Sequence, residues 1–386
     1  MTGPAGPRVL LLLGRSTGGI GTHVDDLARH LSEVGTNVRI ATDDLTAERF
    51  GWSDALRLWP SGGPRVDTGR RLAVLRAWCR RADVVHAHGQ QPAILAAAVL
   101  GLRRGQHRDA RCGAPSGPAL VASLHNEPPA LFGPIAAVAR NALGRALARA
   151  DLVTGASADL VDLARRLGAT RTELAPVPSP RVPSLLAAGE AARAEARVGI
   201  RSELGLDTTT ALVATISRIA PQKDLATLVA AAGLVRSPIA WVVAGSGDAD
   251  LLDRLRARVA AENAPVRFLG PVADPGRMLL AADAFALTSH WEARALVVQE
   301  AMAAGTPVVV PAVGGLPDLA NGAGRLVPPG DPRALAAAID ALLADPEATG
   351  ALATVARQRA AGWPDAAATA RRWARVYADL ARVTYS

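Results

Sequence analysis

Short apolar runs alternate along the chain with stretches in which apolar residues recur every three or four positions. The runs predict buried parallel strands and the recurrences predict helices, so the whole pattern reads as α/β. In the first half, strands are expected over residues 9–13, 38–42, 84–86, 120–124 and 152–154. After the first of these, Ile20, Val24, Leu27, Leu31 and Val34 fall on one helical face, and Gly35 suits the helix end. Residues 102–118 are polar and glycine-rich and predict a surface loop. Pro176, Pro178, Pro180 and Pro183 then interrupt the chain, as an interdomain linker would. The pattern restarts with strands expected over 212–216, 240–243, 266–269, 284–287, 307–310 and 325–327. Three helices should close the chain, over 332–344, 346–360 and 364–380, each opening on a proline.

A chain of 386 residues suits two domains rather than one core. The expected fold is two doubly wound, Rossmann-like halves facing a central cleft, with ligands at the carboxyl ends of the strands. No apolar run is long enough to span a bilayer, and the run at 9–13 is too short for a signal-peptide core, so the chain reads as cytoplasmic. Cys79 and Cys112 form no CxxC and read as structural thiols rather than a disulfide or zinc site.

Charge sharpens the picture. The net +8 lies mostly in residues 1–190, which hold 23 Arg against 16 acids. Arginines cluster at Arg70, Arg71, Arg76, Arg80 and Arg81, and again at Arg103, Arg104, Arg108 and Arg111. A solvated arginine-rich face is the plain explanation; peripheral contact with the anionic inner face of a membrane, or with a phosphorylated acceptor, is the functional one. No aromatic or zinc-finger pattern accompanies them, which argues against nucleic acid. The chain has 42 arginines and one lysine, Lys223. A compact ammonium binds phosphate as a point charge where a planar guanidinium does not fit.

Four groups of residues carry candidate chemistry. Arg218 and Lys223 follow the strand expected at 212–216, with a helix expected to begin near Gln222. Two cations there can hold a diphosphate and stabilise a departing nucleotide, although surface cations share that spacing. Glu292 precedes and Glu300 lies on an apolar helix; a buried acid there calls for donors such as sugar hydroxyls, or for an ordinary salt bridge. The helix start near Leu296 offers free amides to phosphate oxygens. Gly14-Arg15-Ser16-Thr17-Gly18-Gly19-Ile20-Gly21 is neither a Walker A loop nor a clean GxGxxG; Asp43 and Asp44 lie where a dinucleotide site would need an acid, which keeps a dehydrogenase reading open. His86, His88 and His125 end strands and can bind a hydroxyl, handle a proton or make internal hydrogen bonds, His125 being the favoured site residue. Asp248 and Asp250 form a DxD, but as first-turn helix acids they need no metal.

Taken together these motifs resemble family 4 of the retaining glycosyltransferases, which have the GT-B fold. Arg218 to Lys223 is similar to the family's R-x4-K, and Glu292 to Glu300 to its E-x7-E. Ala244-Gly245-Ser246-Gly247 and Phe268-Leu269-Gly270 are similar to its strand ends, and Gly18-Gly19 with His125 to its N-terminal pattern. The resemblance implies an acceptor-side domain over 1–180, a nucleotide-sugar domain over 181–363, and a helix over 364–386 crossing back to the first. It implies transfer of a hexose-type sugar from a nucleotide diphosphate to an acceptor, without metal or cofactor. Arg218, Lys223, Glu292 and His125 would be catalytic. Gly18, Gly19, Gly245, Phe268, Leu269, Arg294, Ala295, Leu296 and Glu300 would join Arg218, Lys223 and Glu292 in holding the donor. Three departures stand out. Ala293-Arg294-Ala295 replaces a glycine-rich loop, Asn126 follows His125 in place of aspartate, and Pro178-Ser179-Pro180-Arg181-Val182 replaces P-N-G-V-D. A nucleotide-sugar epimerase or a non-catalytic sugar-nucleotide sensor on the same fold is the alternative.

Overall fold

The computed structural model describes residues 6–16, 18–59, 68–101, 117–128 and 133–385. Thr17, Cys112, Arg103, Arg104, Arg108, Arg111 and most of the loop expected at 102–118 lie outside these residues. In chain order the elements are β1 (Arg8–Leu13), α1 (Gly19–Glu33), β2 (Asn37–Asp43), α2 (Asp44–Phe50), β3 (Leu56–Trp59), α3 (Thr68–Arg81), β4 (Val84–His88), α4 (Gln90–Leu100), β5 (Ala119–Leu124), α5 (Gly133–Leu147), β6 (Leu152–Gly155), α6 (Ala158–Arg166) and β7 (Thr172–Leu174). There follow α7 (Val182–Ala187), α8 (Glu190–Leu204), β8 (Ala211–Ile216), α9 (Leu225–Ala232), β9 (Ile239–Ala244), α10 (Ala249–Glu262), β10 (Val266–Gly270), α11 (Pro275–Ala281) and β11 (Ala284–Ala286). The chain ends with α12 (Leu296–Ala303), β12 (Val308–Pro311), α13 (Leu316–Ala320), β13 (Arg325–Val327), α14 (Pro332–Ala344), α15 (Pro346–Ala361) and α16 (Ala366–Tyr385).

The chain divides into two compact units, one of Met1–Val177 with Ala366–Ser386 and one of Pro178–Asp365. Each holds one parallel sheet. The first runs β3-β2-β1-β4-β5-β6-β7 and the second β10-β9-β8-β11-β12-β13. Both are Rossmann-like α/β units. In each sheet the order reverses once, beside β1 and β4 in the first and beside β8 and β11 in the second. Crossovers leave in opposite directions from such a reversal, and the opening at the carboxyl ends of the two strands is where ligands bind in folds of this kind.

The central strands are apolar on both faces because helices cover both sides. Val9 through Leu13 of β1 and all six residues of β9 are buried. The last helix belongs to the first unit through Ala370, Trp373, Tyr377 and Leu380, which recur at helical spacing and join Val9, Leu11, Val24 and Leu27 in one core. Burying side chains of this kind stabilises by roughly 1.5–3 kcal/mol each. In the second unit one core packs α11 and α12 against β8 and β12, and another packs α9 and α14 against β8 and β9.

Three local differences from the sequence expectations have physical reasons. β3 and β7 are edge strands of four and three residues, too brief to read as apolar runs. The proline-rich segment carries a helix after all, because Pro183 sits in the first turn of α7, where its missing N–H costs nothing. The helix expected near Gln222 is delayed: residues 221–223 form a 3-10 turn, and α9 begins after Asp224, whose side chain accepts from the Thr227 amide. Asp248 caps α10 in the same way, in line with the helix-start role expected of the DxD.

Candidate active site

The second unit brings its candidate charges together at its strand reversal. Arg218 and Lys223 lie on the loop leaving β8, and Glu292 lies on the loop leaving β11. The two loops are stitched by backbone and side-chain bonds. The Gln222 carbonyl accepts from the His290 amide at 2.9 Å, and the Gln222 side-chain amide donates to the Trp291 carbonyl at 2.8 Å. The Thr288 hydroxyl donates to the Lys223 carbonyl at 2.7 Å. The register of Lys223 is set by Asp224, a non-glycine residue at φ +44° that turns the chain into α9.

Lys223 Nζ is ion-paired with Glu292 Oε1, and the Ser289 hydroxyl donates to the same oxygen at 2.7 Å. The two side chains are 15% and 12% exposed. Removing one partner of a pair so enclosed leaves a charge without compensation. Arg218 is exposed, and among the described residues its guanidinium has no hydrogen-bond or ion-pair partner.

Two glycines hold these loops in place. A Cβ on Gly245 would fall 2.0 Å from the Ser217 carbonyl oxygen, so only glycine lets the loop after β9 approach the loop after β8. Gly314, at φ +51°, lies equally close to the Glu292 carbonyl, which accepts from the Gly315 amide at 2.9 Å. Phe268 and Leu269 end β10 half-buried beside this region of the sheet.

Glu300 sits in α12 and is almost wholly enclosed. The Ser179 hydroxyl donates to its Oε1 at 2.6 Å, and Arg181 Nη1 lies 3.2 and 3.4 Å from its two oxygens. Burial pushes the carboxyl pKa up, against the pull of Ser179 and Arg181. The unusual segment at 178–182 thus supplies both partners of this acid. A carboxylate has room for about four donors, so further hydroxyls can still be accepted.

Arg294, from the altered loop, lies over the Trp363 ring at 5.0 Å. Burial lowers its pKa to about 10, Asp318 opposing, and its Nε is buried without a partner. Ala295 caps α12, and Leu296 begins its first turn.

The first unit presents a different set of groups at its reversal. Gly18 caps α1, and the Ser16 hydroxyl accepts from the Gly21 amide at 2.8 Å, which shapes the turn that carries Gly18 and Gly19. Asp43 caps α2 and accepts from Thr46, so it is committed to the fold rather than open to a ribose. His86, His88 and His125 gather with His23 of α1. His23 lies 5.7 Å from both His88 and His125, centroid to centroid, and His86 lies 4.0 Å from His88. Burial lowers the pKa of His23 to about 4 and of His125 to about 3, and pushes His86 and His88 well below the usual range. All four are neutral. His86 faces the interior rather than a ligand, its ring lying between the Tyr377 hydroxyl at 2.6 Å and the Ser123 hydroxyl at 2.7 Å.

The sequence pattern gives no site role to His23, Ser179, Arg181, Ser289, Gly314 or Tyr377. A signal existed for His23, which lies three residues after Ile20 on the apolar stripe of α1. Arg181 and Ser179 meet Glu300 across about 120 residues of chain, and no local pattern marks such a contact. Among the described residues, no group of His, Cys, Asp or Glu is arranged to hold a metal ion, and no helix is long and apolar enough to cross a membrane.

The sequence model described as Glycosyl transferases group 1 matches residues 198–359, and the Glycosyl transferase 4-like domain matches residues 18–180. The chain is similar to D-inositol 3-phosphate glycosyltransferases. It is 39% identical to that of Mycolicibacterium gilvum over 40% of this chain and 37% of the relative, and 35% identical to that of Xylanimonas cellulosilytica over 56% and 54%. The matched stretches thus span about half, or less, of the relatives' length. Among solved structures, Anabaena HepE in complex with UDP has a TM-score of 0.80 at 19% identity, covering 96% of this chain and all of that one. The same protein with UDP-glucose gives 0.79 at 21%, covering 96% and 99%. Sucrose-phosphate synthase from Thermosynechococcus elongatus gives 0.76 at 22%, covering 97% and 99%. With each half matched by a glycosyltransferase model and both sheets built alike, the chain belongs to the GT-B glycosyltransferases.

Proposed function

We propose that this protein is a retaining, metal-independent glycosyltransferase that moves a hexose-type sugar from a nucleotide diphosphate to a phosphorylated or lipid-linked acceptor. The observation that carries the reading is the Lys223–Glu292 ion pair where β8 and β11 end, with Arg218 exposed on the same loop as Lys223. Arg218 and Lys223 would hold the diphosphate, and the first-turn amides of α12 at Leu296 and Val297 would take phosphate oxygens. Glu292, tied to Lys223, would face the donor sugar, with Ala295 and the Arg294 loop beside it. Glu300 would accept from ribose hydroxyls while Ser179 and Arg181 hold it in place. Gly245, Phe268 and Leu269 would line the base, and the Gly18-Gly19 turn would let a ligand approach the backbone closely.

In the reaction the anomeric carbon–oxygen bond to the diphosphate breaks and a bond from an acceptor hydroxyl to the same carbon forms. The hydroxyl's proton leaves with the diphosphate. Acceptor and leaving group share one face of the sugar, so the anomeric configuration is kept. Every charge in this scheme comes from side chains and amides, and EDTA is expected to leave the rate unchanged. UDP and UDP-glucose in Anabaena HepE support a uridine donor.

One feature favours a phosphate-bearing acceptor: the relatives that match by sequence act on an inositol phosphate, according to their names. A cavity of about 500 Å³ on the first unit is lined by Arg140, Arg145, Arg149 and Arg166, where the chain enters β6 and β7 at the amino end of the sheet, away from the carboxyl ends of the strands. The same arginines would favour an anionic membrane surface. The product's anomeric configuration by NMR tests retention, and an inverted product refutes it. Co-sedimentation with vesicles tests the membrane contact, which fails if neutral and anionic vesicles bind equally or not at all.

A further inference from the structure

A cavity of about 330 Å³ opens in the first unit between α3 and the sheet. It lies where the chain enters β1, β2 and β4, at the amino ends of these strands and so at the opposite end of the sheet from their carboxyl ends. Packed interiors rarely leave a void larger than a water molecule, whereas pockets for small ligands begin near this size.

The strand register gives the cavity its chemistry. Arg8 and Leu10 of β1 pair with Asn37 and Arg39 of β2, and side chains two residues apart share a face. The alternate residues Val9 and Leu11 join α1 and α16 in the core on the other face. Leu10 is buried, and with Ala82 and the Trp78 ring of α3 it gives the cavity an apolar floor. Arg39 stands on the same face, where a sheet covered by a helix ordinarily carries an apolar residue. Arg81, the last residue of α3, lines the cavity as well.

The charge gathered there is not neutralised. Among the described residues no acid lines the cavity, and Asp83 is committed to Arg8, 2.6 Å from its guanidinium. Arg39 and Arg81 have no hydrogen-bond or ion-pair partner among the described residues. Arg39 instead lies over the Trp78 ring at 5.2 Å. Stacking engages the face of a guanidinium and leaves the N–H donors in its plane free.

We propose that this cavity is a ligand site for a small organic anion with a flat apolar body. The body rests against Leu10 and Trp78, and the anionic head accepts from Arg39 and Arg81. A bare inorganic ion meets the charges but gains nothing from the apolar floor. A neutral ring fills the floor but leaves the guanidinium groups unpaired. The site stands apart from the proposed donor end, because every residue that lines it belongs to the first unit.

The test is titration of phenyl phosphate into the full chain labelled with 15N at tryptophan, the Trp78 indole signal being assigned with Trp78→Phe. That signal should shift with a Kd of about 1 mM or below. The same Kd is expected in Lys223→Ala, whose lesion lies in the second unit. Inorganic phosphate and phenol, titrated separately, should each bind at least about tenfold more weakly than the ester. Arg39→Gln should weaken phenyl phosphate about tenfold, as the loss of one charge-assisted hydrogen bond allows. Arg39 is exposed, so this variant should fold, which undisturbed signals from the other tryptophans would show. Arg81→Gln gives the same reading if it does not. The proposal is overturned if the Trp78 signal stays fixed up to roughly 10 mM phenyl phosphate. It is overturned equally if inorganic phosphate or phenol binds as well as the ester, or if neither arginine variant weakens binding. Phenyl phosphate bound at Trp78 in a protein that takes no sugar nucleotide upholds this site and fails the proposed function.

Discussion

The two sheets reverse their strand order in the same way, yet the groups at the two reversals have opposite electrical character. In the second unit the loops after β8 and β11 carry full charges: Lys223 paired with Glu292, and Arg218 exposed. In the first unit the ends of β4 and β5, with α1 beside them, carry four buried imidazoles, all neutral and partly bonded to one another. The topology provides the place, and the side chains decide its chemistry. A charged end suits a diphosphate, whereas a neutral end can offer hydrogen bonds to a sugar without attracting ions of its own.

The largest effect on this contrast is expected from Lys223→Ala. It removes a cation and leaves Glu292 enclosed with only Ser289 beside it. Turnover should fall by about 10²–10³, the usual consequence of losing one charge-stabilising donor, as measured by nucleotide release. A loss of less than tenfold would show that the pair serves structure alone.

Acid should act on the other unit. The unfolded chain binds protons at its histidines near pH 6.5, whereas folded His23 does so only near 4 and His125 near 3. Stability from this cluster is therefore complete above about pH 6.5 and declines as the pH falls towards 4. His23 alone accounts for up to about 3 kcal/mol at the bottom of that window, at about 1.4 kcal/mol per pH unit. Urea melts from pH 8 to 5 should show this slope, and His23→Gln should flatten it. A slope unchanged by that replacement would place the acid sensitivity elsewhere.

Smaller effects follow from the supporting residues. Arg181→Ala should leave Glu300 with Ser179 alone and destabilise the second unit by about 1–3 kcal/mol; pairing it with Glu300→Gln should recover most of the loss. Additive losses in the double variant would mean that the two side chains do not act together. Tyr377→Phe removes the hydroxyl bonded to His86 and should cost about 1–2 kcal/mol in thermal or urea melts, with nucleotide affinity untouched. A change in affinity would tie α16 to ligand binding as well as to packing.

Much of this architecture was legible in the chain because buried parallel strands are apolar on both faces. Val9 to Leu13 and residues 239–244 announce themselves. The edge strands did not, since Thr172, Glu173 and Leu174 of β7 are partly solvated and carry no pattern. Arg218, Lys223, Glu292 and Glu300 stand out in the sequence through the solitary lysine and, for the two acids, through the resemblance to a known family. Their partners do not. Lys223 is committed to Glu292, and Glu300 is held by Ser179 and Arg181; contacts between residues so far apart in the chain leave no local trace. The histidines were visible as strand ends, but the inward turn of His86 and the orphaned nitrogen of His88 follow from packing alone.

The central claim is that the charged end of the second unit holds a nucleoside diphosphate. Calorimetric titration of UDP, GDP and ADP into the wild-type protein, Arg218→Ala and Lys223→Ala tests it most directly. The account predicts that one nucleotide, expected to be UDP, binds the wild type and is weakened at least tenfold by each variant. Equal binding by all three proteins, or none by the wild type, would contradict it.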